Sequence, residues 1–226
     1  LFHFFIFSYL ASLIFLNLKN KNEKVLIRNK LPHSNIISFK DKMNTNYNLG
    51  YLEIIIGPMK SGKTSKLIEV YKQYKYCNTK ICVINHIFDT RYSNNEVVSH
   101  DGIKIPCIMT KKIGDILIQS NILDYEVILI NEGQFFEDLY ECVIELLELN
   151  KKIYISGLDG DYKKNKIGSI LDLIPHSDNV IKISSLCGIC KNGTKAIFSK
   201  RITKDNEQIV IGVDNYVPVC RKCYDD

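Results

Sequence analysis

Gly57–Pro58–Met59–Lys60–Ser61–Gly62–Lys63–Thr64 sets two glycines, a lysine and a threonine at the spacing G-x-x-x-x-G-K-[ST]. Those residue types at that spacing suit the holding of a polyphosphate. Glycines let the backbone curl until successive N–H groups face one anion. A helix starting near Lys63 turns its positive end toward the same anion. Lys63 can bridge β- and γ-phosphates and Thr64 can offer a hydroxyl to Mg²⁺, so a triphosphate with Mg²⁺ is implied. The whole run from Gly57 to Thr64 is therefore a candidate cofactor-binding segment. The competing reading is a glycine-rich turn that binds nothing.

A phosphoryl-transfer site needs a second strand end near the phosphates, to hold Mg²⁺ and to place the nucleophile. Val127–Leu129 leads to Ile130–Asn131–Glu132–Gly133–Gln134. The usual pair at such a tip is Asp-Glu, and here it is Asn131–Glu132. Glu132 is the one carboxylate at that strand tip and so the candidate general base, a role worth about 10²–10⁴-fold in rate. A solvated loop acid, or a charge partner for a helix N-terminus, is the alternative. Asn131 offers an amide oxygen to a metal-bound water but no charge, which predicts weakened rather than lost Mg²⁺ use. Asn131 and Gln134 join the cofactor-binding set.

Two C-x-x-C pairs, Cys187/Cys190 and Cys220/Cys223, are separated by residues 191–219. Each knuckle can present two thiolates at one corner, so the four suit a tetrahedral zinc site. Four thiolates leave no open position, which makes such a site structural. Its effect would be to pin both ends of the intervening loop, which can then cover a substrate at little entropic cost. Four buried or redox-active cysteines are the alternative. The other cysteines among the eight lie singly in apolar or mixed stretches, and the pairing points to metal ligands in a reducing, cytoplasmic compartment rather than to a disulfide-stapled domain.

These groups need elements to place them. Tyr51–Ile56 reads as a buried strand entering the glycine-rich run, and Lys63–Tyr76 as a helix with apolar Leu67, Ile68, Val70, Tyr71 and Tyr74 at helical spacing. Lys80–Asn85, Glu126–Ile130, Lys152–Ser156 and Val180–Ser184 read as further strands, Val97–Cys107 as a hairpin turning at Asp101–Gly102. Ile113–Ser120 and Glu137–Leu149 read as helices, the second presenting Leu139, Val143, Leu146 and Leu147 on one face. His100–Asp101 then falls on a hairpin turn, and turn chemistry explains it. Alternating strand and helix from 51 to 184 predict an α/β fold: a P-loop NTPase-like, doubly wound, mainly parallel sheet. From Cys187 onward short strands, Gly and Cys mark a small C-terminal zinc-binding domain. The expected division is 1–49 as an extension, 50–185 as the α/β domain and 186–226 as the zinc module.

The chain of 226 residues, 46% hydrophobic and 24% charged, can build a packed core and is neither disordered nor fibrous. Its net charge of +5 suits an anionic small ligand as well as a nucleic acid. Leu1–Leu18 is apolar and is followed by a basic run, at the lower limit of length for a membrane span. The first Met is Met43. Residues 1–42 read as a dispensable or wrongly extended segment in preference to an anchor, and no membrane association is expected.

In order along the chain stand the G-P-M-x-S-G-K-T run, Asp89–Thr90–Arg91–Tyr92–Ser93, Glu132–Gly133–Gln134–Phe135–Phe136, Gly157–Leu158–Asp159–Gly160 and the four-cysteine module with Tyr216 before Cys220. Over about residues 50–226 this resembles the type II thymidine kinase family. The resemblance implies transfer of the γ-phosphate of ATP to the 5′-hydroxyl of thymidine or deoxyuridine in nucleotide salvage. It implies Glu132 as base and Arg91 as contact to the moving phosphoryl group, and Tyr162 stacked on the base. Met59 and Leu158 would sit near the thymine methyl, the main chain of Val210, Ile211, Gly212 and Val213 on the thymine edge, and Tyr216 in the pocket wall. The loop between the knuckles corresponds to the family's lasso. A homotetramer inhibited by thymidine triphosphate is implied too. Arg91 as a surface ion-pair partner, and Tyr162 and Tyr216 as plain core or rim aromatics, are the alternatives. Asn131 for Asp, Tyr162 for Phe and Ile167 for an aromatic depart from the family pattern. Two other readings compete: a P-loop ATPase with a nucleic-acid-binding zinc ribbon, its basic residues Lys191, Lys195, Lys200, Arg201, Lys204, Arg221 and Lys222 interleaved with Asp205, Glu207 and Asp214; and a kinase-fold binding protein weakened by Asn131.

Overall fold

Short strands, the central ones too hydrophobic to leave a face in water, pair in parallel into one sheet. The computed structural model describes residues 49–226 apart from 90–94, 120, 121, 205, 206, 209, 211, 213 and 214. The extension 1–48, with its apolar Leu1–Leu18, lies outside the described residues. The strands are β1 (Tyr51–Ile56), β2 (Ile81–His86), β5 (Ile108–Thr110), β6 (Val127–Asn131), β7 (Lys152–Gly157) and β8 (Asn179–Lys182), in the order β5-β2-β6-β7-β1-β8. Every pairing in this sheet is parallel.

The alternation of strand side chains divides the core into two layers. Leu52, Ile54 and Ile56 of β1 join Ile113 and Ile116 of α2 (Ile113–Gln119) and Leu139, Val143 and Leu146 of α3 (Leu139–Glu148) on one face. Ile55 joins Leu67, Ile68 and Val70 of α1 (Lys63–Tyr76) on the other, with Val97 and Ile105 of the antiparallel hairpin β3 (Glu96–Val98) and β4 (Lys104–Pro106). Helices thus cover both faces, which is the doubly wound arrangement expected. Ile54, Ile55, Ile128 and Ile130 are fully buried, each contributing roughly 1.5–3 kcal/mol.

Helix α1 begins where Gly62 adopts φ +88° and ends at Cys77, with Asn78 left-handed at φ +56° just beyond. No side chain caps its start and no acid sits in its first turn. Helix α2 is capped instead from a distance: the Ile113 and Gly114 N–H groups donate to the two oxygens of Asp138, at 3.2 and 2.8 Å.

The last forty residues form a separate small core. β9 (Ser185–Leu186) pairs with β10 (Lys195–Ala196), β11 (Phe198–Arg201) pairs with β12 (Tyr216–Val219), and α4 (Arg221–Asp225) closes the chain. Cys187, Ala196, Val219, Cys220 and Cys223 pack together there under Phe198, Val217 and Tyr224.

Several elements lie beyond the sequence expectations, among them the 3₁₀ turns Ile122–Asp124 and Gly133–Phe135 and the closing helix α4. β5 has three residues and pairs only with Ile84–His86 of β2, too short to show a period. A 3₁₀ segment, Ile170–His176, contains Pro175 and has no helical spacing to announce it. On α3 the fourth buried residue is Cys142 rather than Leu147, which is half-buried.

Candidate active site

The glycine-rich loop leaves β1 at the carboxyl edge of the sheet, where α1 starts. A Cβ on Gly57 would lie 2.2 Å from the Ile183 carbonyl oxygen, so only glycine lets the chain leave β1 beside the segment after β8. Lys60 is left-handed at φ +58° and Gly62 follows at φ +88°, which curls the loop. Lys63 is buried, and its Nζ donates to the Pro58 carbonyl at 2.7 Å and lies 3.5 Å from Ser61 Oγ. An ammonium is therefore held inside the ring of backbone that the glycines shape. The Met59 N–H donates to Ser199 Oγ at 2.9 Å and joins the loop to β11.

Beside it, the tips of β2, β6 and β7 carry a buried polar network. The Asn131 Nδ2 group donates to Asn85 Oδ1 at 3.0 Å and lies 3.5 Å from Asp89 Oδ2. Its Oδ1 accepts from Ser156 Oγ at 2.8 Å and faces Thr64 Oγ1 at 3.5 Å. Asn85 Nδ2 donates to the same Asp89 oxygen at 3.0 Å. Each donor has an acceptor, and the sheet order β2-β6-β7 is what assembles them. Glu132 remains the one acid at its own strand tip, but Asp89, from the neighbouring strand end, brings a second carboxylate to the site.

Glu132 is held in the left-handed region at φ +53°, ψ +43°, a cost of roughly 1–3 kcal/mol for a residue other than glycine. Its Oε2 accepts from Gln134 Nε2 at 2.7 Å, and Gln134 Oε1 accepts from the Leu158 N–H at 2.9 Å. Gln134 is wedged: a Cβ on Gly157 would lie 2.5 Å from its Oε1, and a Cβ on Gly168, at φ +59°, would lie 2.2 Å from its carbonyl oxygen. The carboxylate is thus held by a side chain that is itself hydrogen-bonded to the Leu158 N–H and closely packed. His86 lies behind it, ringed by Phe88, Phe135 and Phe136, with its Nδ1 accepting from the Phe88 N–H at 3.1 Å. Burial pushes the His86 pKa down, partly opposed by the Glu132 charge.

One cavity of about 190 Å³ collects the expected residues. Met59, Lys60, Ser61, Gly62, Lys63 and Thr64 form one wall, Glu132 and Phe135 a second, Leu158, Tyr162 and Ile167 a third, and Ser199, Val210, Gly212 and Tyr216 the cover. Asn131 and Gln134, expected to bind the cofactor, stand one layer behind this wall, buried in the networks above. Gly57 and Pro58 form the base of the loop. Arg91, Ile211 and Val213 lie outside the described residues. Asp89, Ser156, Ser199 and Asn85 were not among the expected site residues. His100 also lines the cavity from its hairpin tip, which Asp101 joins to α1 by accepting from Ser65 Oγ at 3.4 Å.

The four cysteine sulfurs lie within 4.8 Å of one another. Four thiolates around zinc at about 2.3 Å stand roughly 3.8 Å apart, so a small inward shift of these side chains would suit the ion. The Cys220 backbone N–H, helped by those of Cys190 and Ile189, faces the Cys187 sulfur and holds its pKa down to about 6 against the effect of burial. Burial, then hydrogen bonds to Cys220 and Cys187, pushes the Cys223 thiol up to about 12. Among the described residues no helix is long and apolar enough to cross a membrane.

Comparison with known proteins gives a concordant result. The family model described as thymidine kinase matches residues 50–224. The thymidine kinase of sheeppox virus (strain KS-1) is 39% identical over 176 residues, covering 77% of this chain and 97% of that protein. That of Choristoneura fumiferana entomopoxvirus is 40% identical over 182 residues, covering 77% and 96%. That of Oryza sativa subsp. japonica is 37% identical over 183 residues, covering 78% and 67%.

Proposed function

The chain belongs to the thymidine kinase family, and on that premise we propose that it transfers the γ-phosphate of ATP to the 5′-hydroxyl of thymidine, with deoxyuridine as a second acceptor. The observation that carries this reading is the single cavity that joins Lys63 and Thr64 to Glu132 and, across it, to Tyr162 and Tyr216. Donor phosphates belong on the glycine-rich loop, with Lys63 leaving the Pro58 carbonyl for them and the uncapped start of α1 adding to the grip. The nucleoside belongs between Leu158, Tyr162 and the lasso cover, with Met59 beside it. Glu132, aimed by Gln134, takes the proton of the 5′-hydroxyl. The alkoxide oxygen forms a bond to the γ-phosphorus, the bond to the β-bridging oxygen breaks, and ADP leaves. Arg91 is assigned to the moving phosphoryl group on the family resemblance alone.

The hard oxygens of Thr64 and Asp89, with Asn131 behind them, suit Mg²⁺, which would neutralise phosphate charge when bound. Asp89 supplies the negative charge that Asn131 lacks, which argues against a kinase weakened at this position. The four cysteines suit structural Zn²⁺, and 186–226 is then a zinc module on the α/β domain 50–185. Two of its basic residues are engaged with the protein itself: Lys200 Nζ donates to the Cys223 carbonyl at 2.9 Å and Arg201 is buried. That disfavours a strip for nucleic-acid phosphates. Action in cytoplasmic salvage, a homotetramer and feedback by thymidine triphosphate rest on the family resemblance.

An ADP-coupled assay with thymidine, deoxyuridine, deoxycytidine and deoxyguanosine tests the reading. Turnover is expected with the first two. Glu132→Gln is expected to lower kcat by about 10²–10⁴-fold with the thymidine KM little changed. An equal loss in affinity and turnover would contradict the base role, and turnover with deoxyguanosine alone would contradict the substrate.

A further inference from the structure

Arg201 is a buried cation at the root of the lasso, directly opposite Tyr216 on the β11–β12 ladder. Its guanidinium fork is spent inward. Nη1 donates to the Glu207 carbonyl, and Nη2 donates to the Gln208 carbonyl at 3.2 Å and to the Tyr216 hydroxyl. That hydroxyl accepts in turn from the Val210 N–H at 3.3 Å. One side chain and the phenol beside it therefore gather 207, 208, 210 and 216, the part of the lasso that covers the cavity.

The plane of the same guanidinium lies on the kinase domain. Its carbon is 3.7 Å from the centre of the Tyr162 ring, so one face of that ring is taken by the cation. Two further contacts grip the same place: Gln208 Nε2 donates to Asp161 Oδ2 at 3.0 Å, and Tyr224 Oη donates to the Tyr162 carbonyl at 2.6 Å. The segment 161–162 is thus held by the lasso and by the last helix of the zinc module together.

We propose that Arg201 is a positioning residue for the nucleoside, fixing the Tyr162 ring with its face and the lasso cover with its fork. The proposal rests on the kinase reading above. Lysine cannot do both tasks, because an ammonium has neither the planar face nor the divergent donors. On the donor side, Lys63 and Glu132 are held by the Pro58 carbonyl and by Gln134, so the phosphate grip is built from other groups.

The test uses the zinc-loaded full chain with Arg201→Lys and Arg201→Gln. The thymidine KM, and the thymidine Kd from calorimetry, are expected to rise at least about tenfold in both variants, in line with the loss of charged hydrogen bonds and a cation–π contact. The ATP KM is expected to stay within about twofold, with metal content unchanged. A thymidine KM within about twofold of wild type, or a parallel rise in both KM values, overturns the proposal. If Arg201→Gln does not fold, Arg201→Lys keeps the charge and stem and decides alone. A wild-type protein that neither binds nor phosphorylates thymidine refutes the kinase reading, and the role of Arg201 falls with it; a working wild type with unaffected variants refutes Arg201 alone.

Discussion

Asn131→Asp would supply the acid usual at this strand tip, and the network around it makes that change costly. Asn131 Nδ2 is a donor to Asn85 Oδ1 and faces Asp89 Oδ2 at 3.5 Å, in a residue that is 1% exposed. A carboxylate there would turn a donor into an acceptor against two acceptors. Two unit charges at that separation repel by about 5 kcal/mol at an effective dielectric constant near 20. The variant can avoid this by keeping the new carboxyl protonated, which costs about 1.4 kcal/mol for each pH unit above its unfolded pKa near 3.9, or roughly 4 kcal/mol at pH 7. The expected destabilisation is therefore about 2–4 kcal/mol at pH 7 in Mg²⁺-free buffer. The sign with pH follows: the folded pKa is raised, so the loss grows as pH rises from about 4 and shrinks on acidification, by about 0.7–2 kcal/mol between pH 7 and pH 5 across that range. Once protonated, the introduced acid can also donate to Asn85 again. Urea denaturation of both proteins at the two pH values measures this. A variant as stable as wild type at pH 7, or a loss that does not shrink at pH 5, would refute the reasoning. Mg²⁺ with ATP should recover part of the loss, since a cation between two carboxylates removes their repulsion.

Gly168→Ala should destabilise the protein by about 2–4 kcal/mol and lower kcat. The new Cβ must sit at φ +59° and 2.2 Å from the Gln134 carbonyl oxygen, so Gln134 shifts and Glu132 loses its aim; denaturation and steady-state kinetics report the two effects. His86, with its pKa lowered by burial, should withdraw stability as pH falls below the unfolded value near 6.5 and until the folded value is passed, because the unfolded chain takes up the proton first. Stability of His86→Phe should therefore fall less steeply between pH 6.5 and pH 5 than that of wild type, and equal slopes would remove His86 from this role.

Much of the fold is legible because single segments declare it. The Lys63–Tyr76 helix was readable to its ends, since glycine precedes it and a Cys-Asn turn follows. The strand runs were readable as apolar, with ends displaced by a residue or two where ladder partners decide them: β6 runs to Asn131 because Asn131 pairs with Asn85 of β2. β5 was not readable, since three residues carry no period and the strand exists through its partner. Cys142 took the buried place expected for Leu147 because a small thiol packs as an apolar group.

The site divides in the same way. Lys63, Thr64, Glu132 and the four cysteines were legible because each belongs to a local spacing that has a chemical reason. Asp89 and Ser156 were not, because their meaning depends on β2 and β7 flanking β6, and alternating strands and helices do not state a strand order. Arg201 is the sharper case. Read along the chain it was one basic residue among several, and it served the nucleic-acid alternative. In the fold its partners include three carbonyl and hydroxyl oxygens from later residues and an aromatic ring that precedes it in the sequence, so its charge points into the protein. A buried cation of this kind has no signature in sequence, since what distinguishes it from a solvated arginine is only the set of oxygens that topology brings to it.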